Sequence, residues 1–204
     1  MKVRLKGVKV GVALTGSHCT LEKVLPQVEK IIAEGGLVSA IISPSVDHTD
    51  TRFGESTTWK QRLVQITGNK LINSISGAEP VGPQKFFDAL VVAPCTGNTL
   101  AKLAVGVTDT AVLMAAKAQL RNQKPVILGI STNDGLGLNA RNIGTLLNTK
   151  NLYLIPFRQD NPYSKPNSLV ADMSLIIASI EAALEGKQVQ PLLLGPSAEE
   201  FTLR

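Results

Sequence analysis

The chain has 204 residues, of which 44% are hydrophobic and 18% are charged, so it can fold around one full core. Its 21 Lys and Arg residues against 16 Asp and Glu residues give a net charge of +5, but no basic run is interleaved with aromatic residues, which argues against nucleic-acid binding. No apolar run reaches the length of a membrane span, and the N-terminus does not resemble a signal peptide. We therefore predict a cytoplasmic protein in which Cys19 and Cys95 are free thiols.

Strand and helix patterns alternate along the chain. Short apolar runs rich in β-branched residues predict strands at residues 8–14, 37–42, 89–93, 125–130 and 151–155. Apolar residues at helical spacing predict helices at residues 21–32, 59–66, 100–104, 110–120, 139–147 and 169–184. Pro26 lies inside the first helix pattern and predicts a late helix start or a kink. Within the ambiguous stretch 70–85, residues 71–75 fit either a short strand or a helical turn, and residues 79–83 predict a loop.

This alternation predicts an α/β fold with a doubly wound parallel sheet, as in Rossmann-like and flavodoxin-like domains of three α/β/α layers. We assign the domain to residues 1–190 and treat residues 191–204 as a Pro-containing tail, either disordered or docked on a partner. Ligands of such sheets bind at the carboxyl ends of the strands. The loops expected there are residues 15–20, 43–54, 94–99, 131–137 and 156–167.

The stretch 87–102 has the composition of a strand, a polar turn and a helix start. Residues 89–93 are apolar, and Pro94 is expected to end the strand because proline cannot donate to a ladder. Residues 96–99 are small and polar, and helical spacing resumes at Leu100. A helix that starts after a buried strand presents free N–H groups and the positive end of its dipole. The stretch therefore predicts a phosphate or cofactor cradle or, with equal weight, an ordinary capped loop.

The first two strand-end loops carry small polar residues. Thr15, Gly16 and Ser17 follow the first strand, but the loop has neither the Lys-Ser/Thr pair of a Walker loop nor the glycine spacing of a dinucleotide fingerprint. Gly16 lets the backbone approach a ligand, and Ser17 can donate a hydroxyl. Ser43 and Ser45 follow the second strand, where a dinucleotide enzyme would place an acid for the ribose, so the loop disfavours NAD.

Two further groups of polar residues are candidate ligand sites. Residues 131–134 supply hydroxyl and amide groups that suit the edge of a heterocycle or, equally, a helix cap. Asp47, His48 and Asp50 share a polar loop but lack plausible ligand spacing, so we predict no metal site.

The polar turn and its flanks resemble the flavin-binding signature of the homo-oligomeric flavoproteins, the family of phosphopantothenoylcysteine decarboxylase and the flavin prenyltransferases. The residues that carry the resemblance are 15–17, Ser43, 93–104, Gly106, Asp109, Asn133, and Pro156, Phe157 and Pro162 before the helix predicted from Leu169. FMN suits the chain better than FAD because a single cluster of small polar donors fits one phosphate and no adenosine motif is present. The residues that the resemblance assigns to the cofactor are Gly16, Ser17, Ser43, Pro94, Thr96, Gly97, Asn98, Thr99 and Asn133.

Longer strings resemble a narrower group, the B subunits of bacterial dipicolinate synthases, at residues 14–20, 51–55, 128–134 and 165–168. That resemblance implies a role in the mother cell during sporulation, beside a dehydrogenase-like A subunit. The pair oxidises dihydrodipicolinate to dipicolinate, a pyridine dicarboxylate, with NADP as acceptor. Asn133 and Arg52 are the catalytic candidates. Arginine forks match carboxylates bidentately, and the substrate-binding candidates are Arg52, Arg121, Arg158 and Lys165.

The chain departs from the decarboxylase pattern in two places. Residues 55–67 contain no histidine, where the decarboxylases carry a catalytic one, and residues 130–132 replace their Pro-Ala-Met. Gly97 stands in place of a common alanine, a change that we expect to be tolerated. The alternatives are a stand-alone FMN-dependent decarboxylase or prenyltransferase, and a non-catalytic assembly protein. The resemblance also implies a homo-oligomer, a trimer or dodecamer, with the site at an interface between protomers.

Overall fold

Seven strands form one sheet at the centre of the protein, in a computed structural model that describes residues 4–195. They are β1 (Lys9–Leu14), β2 (Leu37–Ile42), β3 (Ala89–Cys95), β4 (Val126–Thr132), β5 (Leu152–Leu154), β6 (Phe157–Gln159) and β7 (Leu169–Ala171). Their order is β2-β1-β3-β4-β7-β6, and β5 also pairs with β4. The strands from β1 to β5 pair in parallel, whereas β7 pairs antiparallel with β4 and β6.

Helices cover both faces of the sheet, as predicted for a doubly wound α/β domain. They are α1 (His18–Ala33), α2 (Pro44–His48), α3 (Ser56–Thr67), α4 (Ile75–Ala78), α5 (Gly97–Ala104), α6 (Ala111–Arg121), α7 (Asn139–Leu147) and α8 (Ile176–Leu184). Helix α8 packs against α1 and over β3 and β4, and α6 packs on β3 and β4 and against α5. Because both faces are covered, β3 is buried along its whole length and reads as an unbroken apolar run.

The prediction that Pro94 ends the third strand was wrong, because β3 continues to Cys95. The pairing of β3 with β4 shifts register between Val92 and Cys95, and Pro94 lies within this irregularity. A proline lacks the N–H that a regular ladder requires, and an interrupted ladder accommodates it.

The predicted helix over residues 169–184 was wrong in its first part. Leu169–Ala171 is the strand β7, and a 3₁₀ turn precedes α8, which begins at Ile176. Strand β4 runs past the end of β5, and β7 pairs with the backbone of Ser131 and Thr132 there. Unpaired backbone groups are costly to bury, so a further strand beside this part of β4 is favoured. Residues 169–171 can form it, because their short apolar run fits a strand as well as a helix. Strand β6 likewise lies inside the predicted loop 156–167.

The first helix begins at His18, so the late start predicted from Pro26 was also wrong. Residues 191–195 of the predicted tail lie beside β6, where the N–H of Phe157 donates to the carbonyl of Leu192 at 3.0 Å. Residues 196–204 lie outside the described part of the chain. Within residues 4–195, every helix is too short or too polar to cross a bilayer.

A prediction follows from the packing of Gly11 in β1. A Cβ at this position would lie 2.7 Å from the ring of Phe87 and 2.8 Å from Leu90, both buried. Gly11→Val therefore overpacks the core and is expected to lower the free energy of unfolding by about 1–3 kcal/mol, measured by urea denaturation.

Gly144 in α7 supplies the matched control, because its Cβ would meet nothing within 4 Å. Gly144→Ala is expected to raise the free energy of unfolding by about 0.5–1 kcal/mol, since alanine is the better helix former. Equal stability of the Gly11→Val variant and the unmodified chain would contradict the packing argument.

Candidate functional site

A cavity of about 340 Å³ opens at the carboxyl edge of the sheet, between the ends of β1, β2 and β3 and the first turns of α5 and α6. This is the edge where the sequence predicted the ligand site. The lining residues are Thr15, Gly16, Ser43, Pro44, Ser45, Thr96, Asn98, Thr99, Lys102, Thr110 and Leu113. Most are small and polar, as a site for an oxygen-rich group requires.

The side chain of Thr15 ties the ends of β1 and β3 together. Its Oγ1 donates to the carbonyl of Pro94 at 2.7 Å and accepts from the N–H of Thr96 at 3.0 Å. The N–H of Thr15 donates to the same Pro94 carbonyl at 3.3 Å. Thr15 is 1% exposed, so this buried hydroxyl is satisfied both as donor and as acceptor and fixes where α5 begins.

Two helices point their N-termini at the cavity. Thr96 caps α5 by accepting from the N–H of Thr99 at 3.3 Å, and Thr110 caps α6 by accepting from the N–H of Leu113 at 3.2 Å. A helix leaves the N–H groups of its first turn without intrahelical acceptors, and its dipole makes that end positive. The cavity is therefore suited to an anionic group.

Gly16 is required by the close approach of the first two loops. A Cβ on Gly16 would overlap Ser45 Oγ, so no other residue fits without a shift of that loop. His18 Nε2 lies 3.3 Å from the same hydroxyl, and burial lowers the pKa of His18, which favours the neutral ring. Ser43 caps α2, with 3.5 Å between its Oγ and the N–H of Val46.

Lys102 is the one charged residue that lines the cavity among the described residues. Its Nζ lies 2.5 Å from Asp109 Oδ2, so its charge is largely offset by a carboxylate outside the lining. The cavity is therefore mildly positive, and its binding capacity comes mainly from hydroxyl groups and helix ends.

Five of the nine predicted cofactor residues line the cavity, and the other four do not. The lining includes Gly16, Ser43, Thr96, Asn98 and Thr99.

The other four lie outside the lining. Ser17 Oγ lies 2.7 Å from Ser131 Oγ, on the side of β4. Pro94 is buried in β3 and offers its carbonyl to Thr15. Gly97 is buried against residues 132–139, and the Oδ1 of Asn133 accepts from Ser168 Oγ at 3.3 Å.

None of the basic residues proposed for the substrate lines the cavity. Arg121 lies at the end of α6, beside Gly82 and near the amino end of β4, which is the opposite edge of the sheet. Arg121 therefore lies away from the cavity of its own chain.

The other three basic residues are not at that opposite edge. Arg158 is paired with Asp172 at 3.3 Å and Lys165 with Asp160 at 3.0 Å. Arg52 is exposed, with its Cζ 4.9 Å from the ring centroid of Phe53, and within residues 4–195 it has no ion-pair partner.

The sequence analysis missed several lining residues outside the loops. Lys102 lies in the second turn of α5, Thr110 is the N-cap of α6, and Leu113 lies in the first turn of α6. The spacing of apolar residues predicted both helices, but it did not predict that the N-terminus of α6 lies at the same cavity as the N-terminus of α5. Thr110 before an apolar helical pattern is an N-cap signal, and that signal could have located the helix end.

Helix α2 forms one wall of the cavity, and the buried carboxylate of Asp47 holds this helix in place. Asp47 is 6% exposed, Lys60 Nζ donates to its Oδ1 at 3.1 Å, and Asn73 Nδ2 donates to its Oδ2 at 2.8 Å. Burial would raise the pKa of Asp47, but the hydrogen bonds from Lys60 and Asn73 outweigh it and lower the pKa. The network therefore joins α2 to α3 and to the segment before α4.

A larger cavity of about 590 Å³ lies near the amino ends of β1 and β2, lined partly by Lys9, Leu37 and Phe86. It contacts none of the strand-end loops, so we do not assign it to the function of the carboxyl edge. No group of three or more His, Cys, Asp or Glu residues within the described chain is arranged to hold a metal ion.

The chain belongs to the flavoprotein family, whose profile matches residues 1–160. Within that class it is 52% identical over 190 residues to the B subunit of dipicolinate synthase from Bacillus subtilis (strain 168), across 93% of this chain and 95% of the relative. It is also similar to the crystal structure of the B subunit of dipicolinate synthase from Bacillus halodurans C, with 52% identity, a TM-score of 0.88, and coverage of 95% of this chain and 100% of that one.

More distant relatives share the fold. The structure of SpaF, an FMN-dependent cysteine decarboxylase, is 16% identical, with a TM-score of 0.64 and coverage of 87% of this chain and 97% of that one. The prediction of a flavoprotein-like α/β fold is therefore confirmed.

We predict that the Asp47 network stabilises the fold in a pH-dependent way. The unfolded carboxyl titrates near 3.8 and the folded one lower, so its contribution is fully present above pH 3.8 and is lost as the pH falls through the folded pKa. Asp47→Asn should lower the free energy of unfolding at neutral pH by about 1–3 kcal/mol.

The difference between the Asp47→Asn variant and the unmodified chain should shrink in urea titrations at about pH 2.5. Asp88→Asn, which removes the same charge from a side chain that is 41% exposed, serves as control. A difference that is constant between the two pH values would contradict the assignment.

Proposed function

We propose that this chain is the B subunit of a dipicolinate synthase, which oxidises dihydrodipicolinate to dipicolinate together with a dehydrogenase-like A subunit. The observation that carries the proposal is the 52% identity to the Bacillus subtilis B subunit of that enzyme over 93% of the chain. The name of that relative implies a partner chain. We further propose that the pair works in the mother cell of a sporulating bacterium, that NADP is bound by the A subunit, and that this chain forms a homo-oligomer.

We propose FMN as the cofactor of this chain, because the cavity fits a single phosphate. Gly16 allows the Ser45 loop to approach the first loop closely, and Ser45, Thr96 and Thr99 bring hydroxyl groups to the lining near helix N-termini. SpaF, which shares the fold, is an FMN-dependent protein, and this agrees with the assignment. The loop residues Gly16, Ser43, Thr96, Asn98 and Thr99 would hold the phosphate.

When bound, FMN supplies a two-electron acceptor for a hydride from the dihydropyridine, a transfer that aromatisation favours. The chain itself positions the reactants. Helices α5 and α6 direct N–H dipoles at the phosphate, and burial keeps the ring of His18 neutral behind Ser45 because it lowers the pKa of that ring. Arg52 is our first candidate for a substrate carboxylate because its guanidinium has no ion-pair partner within the described chain. Asn133, Arg158 and Lys165 are weaker candidates, since Asn133 already accepts from Ser168 and the two basic residues are already paired with carboxylates.

The first experiment is the visible absorption spectrum of the purified chain, recorded before and after addition of FMN and gel filtration. We expect a flavin spectrum that stays with the protein. A colourless protein that ignores FMN would overturn the cofactor assignment and favour a non-catalytic assembly protein. Turnover by this chain alone would favour a stand-alone decarboxylase, which the absence of histidine from residues 55–67 argues against.

Thr96→Val should weaken FMN binding by about tenfold, because it removes the hydroxyl that caps α5 and lines the cavity. Flavin fluorescence quenching measures the dissociation constant. Ser74→Ala is the matched control, since Ser74 caps α4 in the same way with 3.0 Å to the N–H of Gly77 and does not line the cavity. Equal loss of affinity in both variants would mean that Thr96 acts only through stability.

Arg52→Ala should lower kcat/KM of the two-subunit enzyme for the dihydropyridine by about tenfold or more, since a charged hydrogen bond to a carboxylate is lost. The assay follows NADPH formation with both chains present. Arg141→Ala, at an exposed position of α7, is the control for loss of an arginine. Unchanged kcat/KM in the Arg52→Ala variant would remove Arg52 from the substrate site.

A further inference from the structure

We propose that Asp134 is a positioning residue for the cofactor cavity, and that Gly97 is glycine because the Asp134 network occupies the space its side chain would need. Asp134 follows β4 and does not line the cavity. It acts through the first residue of α5. This inference rests on the proposed FMN site for its functional consequence, but its structural part can be tested without any ligand.

The carboxylate of Asp134 accepts hydrogen bonds from a residue before it and a residue after it in the chain. Thr132 Oγ1 donates to its Oδ1 at 2.6 Å, and Asn139 Nδ2 lies 2.8 Å from Oδ1 and 2.9 Å from Oδ2. Hydrogen bonds from Thr132 and then Asn139 lower the pKa of Asp134, so the group is ionised at neutral pH. The carboxylate thereby clamps the end of β4 to the start of α7.

The orientation of the Asn139 amide is fixed by its other end. Asn139 Oδ1 accepts from Asn142 Nδ2 at 2.8 Å, and both residues are buried. Asn139 can therefore present only its NH₂ group to position 134. Asn139 Nδ2 lies within 2.9 Å of both oxygens of Asp134, and Thr132 donates to one of them, so both atoms at position 134 face a donor. A carboxylate accepts at both atoms, whereas a carboxamide would turn an NH₂ group toward a donor.

This network forms the surface on which α5 begins. A Cβ on Gly97 would lie 2.5 Å from Asn139 Nδ2, 2.5 Å from Thr132 Oγ1 and 2.8 Å from Asp134 Oδ1. Gly97 is buried and stands between Thr96 and Asn98, which both line the cavity. The packing of α5 against α7 at this point therefore sets the position of the N–H groups that face a bound phosphate.

The test exchanges the donor and acceptor within the network. Asp134→Asn places an NH₂ group against the NH₂ of Asn139, and we expect about tenfold weaker binding of FMN. The double variant Asp134→Asn with Asn139→Asp restores a donor at 134 facing an acceptor at 139, which can still accept from Asn142. We expect it to recover affinity to within about threefold of the unmodified chain.

Amide hydrogen exchange of residues 96–100 without FMN gives the second readout. Exchange should be faster in Asp134→Asn and return to the original rate in the double variant, whereas Asp88→Asn, at the opposite edge, should leave it unchanged. Original exchange rates in Asp134→Asn, or a folded double variant that recovers neither exchange nor affinity, would overturn the proposal. Restored exchange in a chain that never binds FMN would support the positioning role and refute the proposed cofactor.

Gly97→Ala supplies an independent variant if the exchanges at 134 and 139 impair folding. We expect it to accelerate exchange at residues 96–100, because the added methyl group displaces the network. Unchanged exchange in Gly97→Ala would show that α5 is positioned by other contacts and would overturn the proposal.

Discussion

The arrangement of the carboxyl edge depends on one buried hydroxyl group. Thr15 Oγ1 receives a hydrogen bond from the N–H of Thr96 and gives one to the carbonyl of Pro94, so the end of β1 fixes the end of β3. Pro94 has no N–H to donate, and the register of the β3–β4 ladder shifts near it. On the other side of β3, the side chain of Thr15 extends the contact with β1 beyond Ala13 and Val92, the last residues that pair. The start of α5, and with it one wall of the cavity, is fixed by these hydrogen bonds.

The parallel part of the fold could be predicted from sequence because each of its strands is a short apolar run between breakers. Strands β1 and β2 were placed to within one residue, and α7 was placed without error. The end of the chain could not be predicted in the same way. Leu169, Val170 and Ala171 fit a helix by periodicity, and only the unpaired edge of β4 at Ser131 and Thr132 makes them a strand. Because pairing with β4 is a tertiary contact, the local sequence of residues 169–171 does not indicate it.

The sequence predicted where in the fold the candidate site lies, but it did not predict which side chains line the cavity. Parallel strands end at one edge of the sheet, so the loops after β1, β2 and β3 had to meet. Which side chain of a loop faces the cavity depends on local turns that the pattern does not encode. Ser17 turns toward Ser131, and Gly97 faces the Asp134 network instead of the cavity. Arg121 lies away from the cavity because α6 carries it back to the opposite edge of the sheet.

The lining of the cavity has little net charge, and this determines how the cavity could bind an anion. Lys102 is the one charged residue of the lining among the described residues, and Asp109 already offsets it at 2.5 Å. An anion would therefore be held by dipoles fixed before it arrives, from the first turns of α5 and α6 and from the neighbouring hydroxyl groups. Fixed neutral donors select by geometry, and salt weakens them less than it weakens surface ion pairs. Such a site suits a single phosphate group, and Arg52, which we propose for a substrate carboxylate, would act from outside the cavity.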